Sequence, residues 1–159
     1  MAGHQPLDDI DRRIVALLQD DGRMAIGELA RRAGIGRATA YARLDGLRSR
    51  GVITGFRAEV DPSASGNGLA AYVFVDVEQQ RWAQARAALV ELPGLVHLSL
   101  TSGAHDAVLL VRCPDIDTLR DVVLHRLHEI PEVRSAQTLF ILDEERLPPL
   151  PPPEPRSQG

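Results

Sequence analysis

The sequence predicts an α+β chain in two parts, an N-terminal three-helix unit of the winged helix-turn-helix type followed by a ferredoxin-like βαββαβ unit. Three observations carry this. Between Ile26 and Arg50 apolar residues recur at helical spacing in two short runs separated by Gly34, the layout of two amphipathic helices joined by a turn. In the second half Glu91-Leu92-Pro93-Gly94-Leu95 and Glu129-Ile130-Pro131-Glu132-Val133 repeat the pattern Glu, aliphatic, Pro, any, aliphatic at an offset of 38 residues. Charge divides in the same way: residues 1–61 hold ten arginines against nine acids, residues 62–159 eight against thirteen. A half that concentrates positive charge joined to an acidic half suggests two tasks in one chain.

Each element has its own local warrant. Asp8 or Asp9 can cap a first helix carrying Ile10, Ile14, Leu17 and Leu18 on one face and closing near Gly22. A second helix places Ile26, Leu29, Ala30 and Ala33 at i, i+3, i+4 and i+7, with Gly34 where a left-handed stop is needed. A third carries Ala40, Leu44 and Leu47 and ends near Gly51. Val52 to Val60 is expected to be a short extended segment, and residues 61–68 (Asp-Pro-Ser-Ala-Ser-Gly-Asn-Gly) a linker.

The repeat superposes Ala70–Val75 on Val108–Cys113 and Leu89 on Leu127, so each copy reads strand, helix, Pro-containing turn, strand. Two copies in series give βαββαβ. The first of these helices is expected from about Arg81 to Leu92. The second is expected to set Ile116, Leu119, Val123, Leu127 and Ile130 against the sheet. Six prolines between positions 148 and 155 make the segment from Leu147 an extended or disordered tail. The expected domains are therefore 1–61 with its extended segment, a 62–68 linker, 69–146, and a tail over 147–159.

The whole chain carries −4, yet Arg31, Arg32, Arg37, Arg43, Arg48, Arg50 and Arg57 face only Asp45 between them, a local balance of +6. Such a patch suits a phosphate backbone. All eighteen basic residues are arginine, so every phosphate contact comes from a guanidinium fork. The single cysteine, Cys113, rules out an intramolecular disulfide framework and points to a reducing compartment. No apolar run approaches the roughly 20 residues of a membrane span. Acidic residues stand where a signal peptide would be apolar, so a cytoplasmic, nucleoid-associated protein is expected.

Catalytic constellations fail. His125, His128 and Glu129 match no zinc-protease order, Cys113 lacks a CxxC partner, and the linker glycines Gly66 and Gly68 make no phosphate cradle. Ser99 and Ser102 lie near His97 and His105 in sequence only. Trp82, at a helix start, reads as packing. No catalytic residue, metal site or cofactor is expected.

With Ala40, Leu44 and Leu47 turned inward, the third helix presents Ala38, Tyr41, Ala42 and Asp45, with Thr39 beside them, toward base edges. Ala38 and Ala42 are small enough to meet thymine methyl groups. Arg37 and Tyr41 suit bases or phosphates. Arg31, Arg32, Arg43, Arg48 and Arg50 suit the backbone, setting register and affinity more than specificity. Arg43 is equally suited to a structural salt bridge.

From Leu7 to Leu142 the chain resembles the leucine-responsive regulator/AsnC family of bacterial and archaeal transcription factors. The matching residues are Leu7-Asp8, Ile10-Asp11, Ile14, Leu17-Leu18, Gly22-Arg23, Glu28-Leu29-Ala30 and Gly34. They continue through Thr39, Arg43, Leu44, Leu47, Gly51-Val52-Ile53, Gly55 and Asp61-Pro62. In the second half they are Gly103-Ala104-His105-Asp106, the family's Gly-x-x-Asp, with Pro131, Val133 and Thr138. Ala25 and Gly36 depart from the family's Ser or Thr at the caps of helices two and three, and Ala136 from a frequent hydroxyl.

The resemblance implies a turn at Gly103–Asp106 where dimers meet and a free amino acid binds between subunits. It implies effector contacts from Thr101, Gly103, His105, Asp106, Ala136 and Thr138. Asp106 suits either a ligand ammonium group or the fixing of the turn. The expected protein is a sequence-specific regulator that binds a partly palindromic duplex as a homodimer. Its assembly to tetramers or octamers would respond to a small effector, an amino acid. Two other readings stay open: an architectural protein coating DNA with little sequence preference, and a metabolite-binding protein or enzyme built on the ferredoxin-like half.

Overall fold

The computed structural model describes residues 6–145 and 147–153. The chain divides into two compact units, one formed by residues up to 58 with the tail, the other by Glu59–Glu145.

In the first unit helix α1 spans Asp9–Asp20, α2 Ile26–Ala33 and α3 Arg37–Ser49. Asp8 starts α1 by accepting the Asp11 N–H at 2.8 Å, satisfying one of the unpaired donors every helix start leaves. Ala25 and Gly36 occupy the next two N-cap positions and offer no side-chain hydrogen bond. Gly34 closes α2 in the left-handed region at φ +73°, where a Cβ is disfavoured. Ile14, Leu29, Ala33 and Leu47 form the buried centre, and Leu7, Ile10, Met24, Ile35, Val52 and Ile53 pack around it. The segment after α3 makes no ladder: the Val52 and Ile53 N–H groups return to the Leu47 carbonyl, and residues 54–60 join no strand.

In the second unit strand β1 is Leu69–Val77, and a 3₁₀ turn at Gln79–Arg81 leads into α4, Trp82–Leu89. Strands β2, Leu95–Leu100, and β3, Ala107–Cys113, precede α5, Ile116–Asp121, and β4, Val133–Phe140, ends the unit. The sheet is antiparallel in the order β2-β3-β1-β4, the ferredoxin-like arrangement that the repeat implies. Period-two alternation sends Ala71, Val73, Val75 and Val77 of β1, and Ala107, Leu109, Val111 and Cys113 of β3, toward Ala85 and Leu89 of α4 and the second helix. The stretch expected as a linker is a compact turn: the Asp61 carboxylate accepts the Ser63 N–H at 2.8 Å and Pro62 O accepts the Asn67 N–H at 2.7 Å.

Both helices of this unit depart from expectation. The first is shorter than 81–92, because Gln79–Arg81 winds as a 3₁₀ turn before it and Pro93 closes the chain behind it. The second passes through a π turn over Val122–Arg126, in which the Leu127 N–H reaches Val122 O at 3.0 Å. An i→i+5 turn spreads five residues over the arc of four. Val122 therefore shares the buried face with Leu119, Leu127 and Ile130, Val123 moves to its margin, and Ile116 is 61% exposed.

The proline-rich tail carries no helix or strand as far as Pro153, and Leu150 O accepts a hydrogen bond from Gln19 Nε2 at 3.1 Å. Its remainder, 154–159, lies outside the described residues.

Candidate functional site

Two groups of residues need to be located, one on each unit. On the first, Arg37, Ala38, Thr39, Tyr41, Ala42, Asp45 and Arg48 are all exposed along α3, while Ala40 and Leu47 are buried and Leu44 is half-buried. The Arg37 guanidinium stands 5.9 Å from the centre of the Tyr41 ring, a distance at which cation and ring attract. Two side chains one helical turn apart thus form one presented unit.

The arginines divide by partner. Asp11 is only 3% exposed and binds Arg43 at 3.1 Å and Arg50 at 2.5 Å. Arg43 also reaches Asp8. The Asp11 N–H and then Arg43 hold the Asp8 carboxyl below its ordinary value, and Asp8 in turn raises Arg43. Arg43 and Arg50 therefore tie α3 to α1. Arg31 is paired with Glu28 at 2.6 Å. Arg32, Arg37 and Arg48 are exposed, as are Arg23 and Arg57, and none of the five is in an ion pair among the described residues.

On the second unit, the β2–β3 turn is built from its own hydrogen bonds. The Thr101 N–H goes to Asp106 O at 2.9 Å and the Thr101 hydroxyl donates to His105 O at 2.6 Å. Gly103 has φ +140°, a conformation that favours glycine. Asp106 Oδ2 accepts the Val77 N–H at 2.9 Å and Oδ1 accepts Gln79 Nε2 at 3.1 Å, with Arg134 at 3.6 Å. The Val77 N–H and Gln79 lower the Asp106 carboxyl. Asp106 locks the turn to β1, and both carboxylate oxygens are occupied. His105 Nδ1 lies 3.1 Å from Asp76, whose other oxygen accepts the Ser135 hydroxyl. Ser135 and then His105 lower the Asp76 carboxyl.

Two recesses flank this turn and share Asp106. One, of about 320 Å³, is lined by Val77, Gln79, Trp82, Leu100, Thr101 and Asp106. The other, polar, is lined by Asp76, Ala104, Asp106, Arg134 and Ser135. The structure thus gathers Thr101, Gly103, His105 and Asp106 in one turn. Thr138 lies elsewhere, in an apolar groove with Ile116, Val123, Leu124 and Phe140, its hydroxyl buried without a hydrogen-bond partner among the described residues. Ala136 packs against the core opposite Val75. The sequence did not single out Asp76, Gln79, Leu100, Arg134 or Ser135; the signal that joins Asp76 to Ser135 is the β1–β4 register, which no local pattern contains.

Of the remaining polar residues, His125 pairs with Asp121 and His128 with Val123 O, both exposed. No group of metal-binding side chains occurs among the described residues. No helix of the described residues is long and apolar enough to cross a membrane.

Comparison with known proteins places both units. Residues 7–48 match the AsnC-type helix-turn-helix domain, and residues 70–148 match the Lrp/AsnC ligand binding domain. An uncharacterized HTH-type transcriptional regulator of Pyrococcus abyssi is 36% identical over 135 residues, covering 85% of each chain. The solved structure of Escherichia coli AsnC superposes with a TM-score of 0.85 at 27% identity, over 93% of this chain and all of that one. A transcriptional regulator of Neisseria meningitidis, solved as an L-Met complex, gives 0.83 at 25% identity over 90% and 94%.

Proposed function

The chain belongs to the Lrp/AsnC family of transcriptional regulators, and on that premise we propose that it binds a partly palindromic DNA site as a homodimer. We propose further that an amino acid acting at the Gly103–Asp106 turn shifts its assembly and its DNA binding. The observation that carries the DNA part is the exposed row of Arg37, Thr39, Tyr41 and Arg48 on α3, flanked by small Ala38 and Ala42. Small residues permit close approach to base edges, and unpaired guanidinium groups supply phosphate contacts.

The dimer reading is supported by the sheet face that no helix covers. It displays Tyr72, Phe74, Val108, Leu110 and Leu139, of which Tyr72 is 38% and Leu139 57% exposed. A contiguous apolar face of this kind is costly in water and is a natural association surface. Two-fold pairing also suits a unit this small, since two recognition helices about 34 Å apart meet successive major grooves. The amino-acid reading is supported by the L-Met bound to the Neisseria relative and by the polar recess beside the turn, which Asp76 of β1 and Arg134 of β4 line together with Ala104 and Asp106. A ligand shifts assembly only through different affinities for the assembly states.

Fluorescence anisotropy on the duplex upstream of the protein's own gene, against a scrambled duplex, tests the reading. Specific binding that weakens in Arg37→Ala and Tyr41→Ala and changes with pooled amino acids supports it. Equal binding to both duplexes, with a steep salt slope and no response to the pool, supports instead an architectural role.

A further inference from the structure

We infer that the proline-rich segment after the sheet is a docking peptide, and that its two Leu-Pro pairs seat in an aromatic groove of a second protein.

Every residue from 147 to 153 is a proline or stands directly before one. A proline fixes its own φ and turns the residue before it away from the α region, so the segment is held extended as a polyproline II helix. It joins no helix or strand. Only Leu147 and Leu150 keep a backbone N–H, so the segment suits neither a helix laid in a groove nor a strand added to a sheet edge. Of the recurring ways in which apolar peptides are held, recognition of a polyproline II helix by aromatic rings remains.

Such a helix repeats every three residues, which sorts the segment into three ridges. Leu147, Leu150 and Pro153 form one, Pro148 and Pro151 the second, Pro149 and Pro152 the third. The pairs Leu147-Pro148 and Leu150-Pro151 therefore stand on the same two ridges one turn, about 9 Å, apart. They face water: Leu147 is 78% and Leu150 88% exposed, and Pro148 and Pro151 are exposed as well. A contact from the protein's own first unit reaches the backbone instead, Gln19 Nε2 donating to Leu150 O at 3.1 Å. Pro152, on the third ridge, is the one half-buried residue of the seven. The two Leu-Pro ridges thus offer apolar surface in a preordered form, and covering it gains the hydrophobic effect at little cost in ordering entropy.

Charge narrows the partner to a protein. Residues 143–156 hold four acids and two arginines, a balance that repels a phosphate backbone or an anionic lipid surface. The matched ligand binding domain ends at residue 148, so the second Leu-Pro pair lies beyond the part of the chain that the family model describes.

Full-length protein is titrated into isotope-labelled SH3, WW and EVH1 domains, whose aromatic grooves take proline-rich peptides, and the domain amide shifts are followed. At least one domain is expected to bind saturably, with shifts confined to its aromatic groove. Leu150→Ala is expected to weaken that binding about 10-fold, the worth of two buried methylenes out of the three carbons removed. Pro149→Ala, on the third ridge, is expected to lose about threefold or less, the entropy of one freed proline. Both positions are exposed, so thermal melts of the two variants are expected to coincide with wild type. Silence of every domain overturns the inference. So does binding that the two substitutions weaken equally, because proline content and not the Leu-Pro ridges would then be read. Concentration-dependent self-association that Leu150→Ala abolishes would assign the ridges to a second copy of this chain and likewise overturn it.

Discussion

Asp11→Asn removes one charge from the centre of the network that joins α1 to α3. Asp11 is 3% exposed and holds Arg43 at 3.1 Å and Arg50 at 2.5 Å. Asparagine preserves the volume, but its amide presents a donor to a guanidinium, so at least one contact becomes donor against donor. Hydrogen bonds to charged groups contribute about 1.5–3 kcal/mol each. Both arginines keep roughly a third of their side-chain surface in water and recover part of that on solvation, which sets the expected loss at about 2–4 kcal/mol. A unit of some 58 residues has only about 3–9 kcal/mol in all, so the variant loses a large share of its first unit's stability. Urea unfolding of the full chain resolves this when followed by two signals. Helical circular dichroism sees both units, whereas Trp82 sits in the second. The helical signal is expected to show an early transition in Asp11→Asn while the Trp82 transition stays in place. A helical transition within about 0.5 kcal/mol of wild type, the scatter of ordinary surface substitutions, would refute the claim that this carboxylate holds the recognition helix in position.

Three further outcomes follow from the same reasoning. Ala25→Ser is expected to stabilise the first unit by about 1 kcal/mol and Gly36→Ser by only a few tenths, because glycine is a tolerable N-cap and alanine is not; thermal melts of the two variants check the order. Gly94→Ala is expected to cost the second unit more than about 2 kcal/mol, since Gly94 has φ +75° and an added Cβ would stand 2.3 Å from Arg112 O; the Trp82 unfolding transition measures it. Asp8 supplies the acid dependence. Its folded value is lowered from 3.8 by the Asp11 N–H and Arg43, so its stabilisation is fully present above about pH 4 and is lost as pH falls through the folded value. Asp8→Ala is expected to lower stability at pH 7 by about 1 kcal/mol and to reduce the slope of stability against pH between about 5 and 3, read from unfolding curves across that range.

Much of this protein is legible locally. The stripes Ile26–Leu29–Ala30–Ala33 and Ala40–Leu44–Leu47, the Asp8 cap and the left-handed Gly34 are properties of a few consecutive residues, so the first three helices follow from sequence alone. The 38-residue repeat predicts four strands and two helices in order, and the sheet that forms has that order of elements. The exposed face of α3 follows once its buried face is known, because a helix with one apolar stripe has only one other side.

What sequence could not supply is every relation between residues distant along the chain. Arg43 is as good a phosphate ligand as Arg37 until α1 brings Asp11 beside it, 32 positions away. Asp106 is a candidate ligand group until Val77 and Gln79, nearly 30 positions earlier, occupy both its oxygens. The π turn at Val122 rotates a stripe that an ideal helical period assigned to Val123, and Thr138 parts from the Gly103 turn because β4 lays it in another groove. Periodicity is a short-range property and survives in the sequence. Partnership depends on which surfaces meet when the core closes, and only the tertiary structure decides that.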